Sequence, residues 1–126
     1  MNWWKSSWFV LVAFIVYMSL KPADSKNIIE VNDKVGHCLA YFTLVIATRI
    51  FFPRWKMVGA MLFSFTLSCL LEWLQNFVPG RVVSIWDIVA NGTGVLIGTL
   101  FYLTCAKWIH KVLIALGIEK NNENIS

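Results

Sequence analysis

Met57 to Val78 reads MVGAMLFSFTLSCLLEWLQNFV, a stretch of uninterrupted apolar character that carries one formal charge, Glu72. A run of this length crosses roughly 30 Å of hydrocarbon as an α-helix. Glu72 lies six residues from the end of the run, about 9 Å in along a helix axis. A carboxylate at that depth needs a partner or a cavity. The stretch therefore predicts a membrane helix with a polar site near one of its ends.

Three similar runs surround it: Trp3 to Leu20, which holds only Lys5 as a charge, Val35 to Phe52, and Ile85 to Trp108. Hydrophobic residues make up 58% of the 126 positions and charged ones 14%, against about 25% charged in ordinary soluble domains. The ten-residue alternation of a membrane β-barrel is absent. The expected fold is all-α: four transmembrane helices, about 3–20, 35–52, 57–78 and 85–108, in one compact bundle over 1–126 with a polar tail at 118–126. Trp3, Trp4 and Trp8 read as an interfacial anchor. With no A-x-A pattern after Met18, the first run is expected to be a retained helix rather than a cleaved leader.

The punctuation agrees with these boundaries. Pro53 stops the second helix and Pro79-Gly80 the third. Ser84 is placed to cap the fourth, with Asp87 at its third position. The polar link from Lys21 to Asn32 is expected to be an exposed loop. Cys38, Cys69 and Cys105 sit in three different runs without paired spacing, as packing residues.

The net charge is +4. Lys5, Arg49, Arg54, Lys56, Lys107, Lys111 and Lys120 fall on one side of the expected membrane, and Lys21, Lys26, Lys34 and Arg81 on the other. Basic residues favour the cytoplasmic side, so both termini are expected there. The cations flank membrane segments and are scattered, so no nucleic-acid partner is expected.

This topology gathers the polar residues near the outer face. Asp33, His37 and Tyr41 are four apart in sequence and share one helical face. Glu72 and Gln75 share another, with Asn76 beside them. Asp87 and Asn91 begin the last helix, and Gly94 and Gly98 continue their stripe as a seam for close helix packing. Asp33, Lys34, His37, Glu72, Gln75, Arg81, Ser84, Asp87 and Asn91 are the candidate ligand-binding set.

The pattern resembles the VanZ-like family of small integral membrane proteins. The matching residues are Asp33-Lys34-Val35-Gly36-His37, Glu72-Trp73-Leu74-Gln75, and Pro79-Gly80-Arg81 with Ser84, Asp87, Asn91 and Gly94. The resemblance spans roughly Asn32 to Gly98. It implies a four-helix domain of the bacterial cytoplasmic membrane linked, in the family's namesake, to low-level teicoplanin resistance. No settled catalytic activity comes with it.

Three mechanisms fit the set. The cleft binds an anionic lipid-linked or cell-envelope precursor, with Arg81 taking phosphate or carboxylate and Gln75 and Asn91 holding neutral groups. Alternatively it is an enzyme, with Glu72 or His37 as general acid or base and Asp87 orienting its partner. In the third, the cluster only locks the bundle, which then scaffolds another membrane protein. One histidine among scattered carboxylates is a weak metal pattern, so neither a metal nor another cofactor is expected. Membrane lipids, a lipid-linked precursor or a membrane protein are the expected partners.

Overall fold

The computed structural model describes residues 3–20, 30–80 and 84–117, with side chains at 5–20, 34–80 and 84–117. Four α-helices follow one another: α1 Trp3–Leu20, α2 Glu30–Phe51, α3 Met57–Leu74 and α4 Ile85–Ala115. A 3₁₀ turn, Gln75–Phe77, tightens the end of α3.

Two boundaries depart from expectation. The second helix begins at Glu30 rather than near residue 35, so Glu30, Val31 and Asn32, the end of the expected loop, belong to its first turn. Apolar content marks where hydrocarbon begins, and that is not where a helix begins. Likewise α4 continues past Trp108 to Ala115. Lys107, His110 and Lys111 do not interrupt a helix. Gly117 does, at φ 76°, with its N–H bonded to the Ile114 carbonyl at 3.0 Å, a left-handed terminus that glycine adopts without steric cost. At 1.5 Å per residue α4 is about 46 Å long, well beyond the hydrocarbon thickness.

Three helices, α2, α3 and α4, are long and apolar enough to cross a membrane. The apolar stretch of α1, Lys5–Leu20, is shorter. All of Trp3–Leu20 would reach only about 27 Å.

Packing is uneven, and its closest pair is α2 with α4. A Cβ on Gly94 would fall on the carbonyl oxygen of Cys38, and one on Gly98 would lie 2.8 Å from the Phe42 carbonyl oxygen. Only glycine lets the two backbones meet there. Cys38 faces Gly94 and Phe42 faces Gly98, so the two helices run parallel. The core gathers Ile15 of α1, Tyr41, Leu44 and Val45 of α2, Ala60 and Leu71 of α3, and Val95 of α4. Outside it, large apolar side chains stay exposed, among them Phe14, Leu62, Trp73, Leu100 and Leu103. Such a surface suits lipid rather than water.

At the end where α2 meets α3, Trp8 Nε1 donates to Thr48 Oγ1 at 3.1 Å. Its ring packs edge-on to Phe52 with centroids 4.9 Å apart. At the opposite end, Gln75 Nε2 donates to the Ser19 carbonyl at 2.9 Å. These two contacts hold α1 antiparallel to α2.

Candidate functional site

The end of the bundle holding Ser19, Gln75 and the start of α4 is where the polar residues meet. Ser84 caps α4, its hydroxyl accepting from the Trp86 N–H at 3.2 Å, as its sequence position predicts. In a reciprocal capping box the acid at the third position would accept from the Ser84 N–H. Here that N–H donates instead to Glu72 Oε1 at 3.2 Å. The acceptor thus comes from α3, and Asp87 is released from the local box.

The Asp87 carboxylate turns to α2, where Oδ1 accepts from Lys34 Nζ at 3.1 Å. The pair is lopsided, with the Lys34 side chain 37% exposed and that of Asp87 8%. The acid is buried in the bundle and the cation reaches in from its rim. Low dielectric strengthens such a pair only to the extent that its desolvation is compensated.

Glu72, Gln75 and Asn91 are each at most 2% exposed. Gln75 ties α3 to the end of α1 through Ser19, while Glu72 ties it to the start of α4. Asn91 is different, because its Oδ1 is buried with no hydrogen-bond partner among the described residues. It stands one turn beyond Asp87 and one turn before Gly94, on the side of α4 that meets α2. An unmet buried amide acceptor costs about 1–3 kcal/mol.

The remaining candidates fall less centrally. His37 is half-buried one turn beyond Lys34. Tyr41, 2% exposed, has its hydroxyl beside the Ser19 side chain and in the field of Glu72. The Asp33 side chain and all of Arg81 lie outside the described residues. Among the described residues, no three His, Cys, Asp or Glu side chains gather as a metal ion would require.

Three buried serines were not in the predicted set. Ser19 is a single hydroxyl at the end of an apolar helix, and no spacing marks it. Ser64 and Ser68 carried a readable signal, since with Ala60 and Glu72 they recur every four residues. All four are buried along one face of α3. Ser68 Oγ donates to the Phe65 carbonyl at 2.7 Å, whereas Ser64 Oγ is buried without a partner among the described residues.

Residues 2–109 match the VanZ/LLP1 family model. The chain belongs to that family. The match takes in all of α1 to α3 and most of α4, and with them every described member of the polar layer. Neither a curated protein nor a solved structure matches the chain. Membership in VanZ/LLP1 and three apolar helices of spanning length fit a multi-pass membrane protein.

Proposed function

We propose that this VanZ/LLP1 protein crosses the bacterial cytoplasmic membrane four times, with both termini inside. Its outer polar layer binds an anionic lipid-linked or cell-envelope ligand. The cation bias of seven against four supports the orientation. One observation carries the binding reading: the buried Oδ1 of Asn91, which has no partner among the described residues. A group held there must donate a hydrogen bond. Sugar hydroxyls and peptide amides do so, whereas the phosphate diester of a simple phospholipid does not. Lys34 at the rim, together with Arg81 from the sequence, supplies cations for the ligand's anionic part. Envelope precursors combine both chemistries, which connects the reading to teicoplanin susceptibility.

Native mass spectrometry from a gentle detergent tests this. The unmutated protein should carry a co-purifying lipid-linked precursor. Asn91→Leu and Arg81→Ala should lose it while keeping their helical signal. Unchanged co-purification in both variants would overturn the reading.

A second reading is favoured by the cross-pairing itself. Lys34 with Asp87, Ser84 with Glu72 and Ser19 with Gln75 close three helix junctions. A layer built this way also serves a rigid scaffold for another membrane protein. In that case Asn91→Leu would leave the function intact.

A further inference from the structure

The opposite end of the bundle carries features that the polar layer does not use. Where the link after α2 enters α3 lies a groove of about 530 Å³ lined by Trp55, Lys56, Val58, Gly59 and Phe63. Its aromatic wall is braced, with Trp55 stacked on Phe52 at 4.8 Å between centroids and edge-on to Phe63 at 6.1 Å. Val58 stands 61% exposed along the trough, and Gly59 adds no side chain to fill it.

The rim has the opposite character. Lys56 lines the groove and Arg54 precedes Trp55 in the chain; both are exposed, and neither forms a salt bridge among the described residues. Lys56 is also the N-cap of α3, and its side chain does not cap the helix. The first-turn N–H groups of α3 therefore add their partial positive charge to the two cations. An apolar trough running into the membrane below a cationic rim at its surface matches one kind of molecule. A phospholipid places a chain in the first and a phosphate at the second. A second copy of the chain fits poorly, since a symmetric contact would set Arg54 and Lys56 against their own equivalents.

We infer that this groove is a binding site for an anionic phospholipid of the leaflet on that side. An acyl chain lies against Trp55, Val58 and Phe63, and the phosphate between Arg54, Lys56 and the start of α3. The site lies at the other end of the bundle from the polar layer and does not depend on its ligand.

The test is native mass spectrometry of the full chain in detergent. Phosphatidylglycerol and phosphatidylcholine with identical acyl chains are titrated separately. The unmutated protein should retain phosphatidylglycerol over phosphatidylcholine by on the order of tenfold. The double variant Arg54→Gln/Lys56→Gln should bring the two lipids level. Val58→Trp, which fills the trough, should lower both. Equal retention of the two lipids by the unmutated protein overturns the proposal. So does a phosphatidylglycerol preference that survives in the double variant. A lipid-independent dimer abolished by Val58→Trp would assign the groove to a second copy instead.

Discussion

The backbone N–H of Ser84 donates to the Glu72 carboxylate, so the fourth helix begins on a group supplied by the third. That bond joins two apolar helices at a half-buried position. Ser84 is thereby engaged twice, its hydroxyl on Trp86 and its amide on Glu72.

Removing the acceptor should cost more than removing its charge. Glu72→Ala leaves the Ser84 N–H without that acceptor, while Glu72→Gln keeps an oxygen in place. Thermal unfolding in detergent should show the alanine variant less stable than the glutamine variant by about 1–3 kcal/mol. Equal midpoints would mean that the bond contributes nothing.

Lys34 and Asp87 should be energetically coupled. Breaking a fully buried pair costs about 3–5 kcal/mol, but the exposure of Lys34 lets water screen its side. A coupling of about 1–2 kcal/mol is expected once that screening is allowed for. The double-mutant cycle of Lys34→Met and Asp87→Asn measures it, and strict additivity would rule it out.

Asn91→Leu should raise thermal stability by about 1 kcal/mol or more, because it removes a buried acceptor with no partner and keeps similar bulk. A loss of stability would show that the amide is satisfied in the folded protein. Stabilisation together with lost ligand retention is the pattern expected of a binding group.

Gly94→Ala and Gly98→Ala should each destabilise the bundle by about 1–3 kcal/mol, the cost of forcing a methyl into a packed contact. Leu100→Ala removes far more volume, but from a side chain 64% exposed, and should cost less. If Leu100→Ala proves the more harmful, the seam between α2 and α4 is looser than described.

The orientation is checked by single cysteines introduced after replacing Cys38, Cys69 and Cys105. Cysteine at Pro79 should react with an impermeant maleimide added outside intact cells, and cysteine at Arg54 should not. Both positions are exposed, so the membrane rather than burial decides the outcome. Reversed labelling would invert the topology.

Most of the helical plan was legible in the sequence because hydrocarbon length and proline are strong, local signals. Met57 to Val78 matches α3 with its 3₁₀ turn, and Ser84 caps α4 where its position predicts. The start of α2 and the end of α4 were not legible, because polar residues leave the hydrocarbon without leaving the helix. Gly94 and Gly98 could be read as a seam, but not that α2 would fill it. At the site, depth alone singled out Glu72, yet one of its partners is a backbone amide, which leaves no trace in side-chain spacing. Asp87 was legible as a first-turn acid. Its pairing with Lys34 depends on α2 and α4 running side by side in register, a tertiary fact.

The glycine seam has a repeat of four, and so does the helix face it packs on. Sliding α4 by four residues would bring Gly98 to Cys38, but it would set Tyr102 where Gly98 now meets the Phe42 carbonyl. Lys34 would then face the level of Asn91 instead of the Asp87 carboxylate. With only two glycines, the seam sets both how close the two helices lie and where they stop along each other, and the charge pair confirms that stop. A chain lacking Lys34 would keep its notch and lose only the latch that secures it.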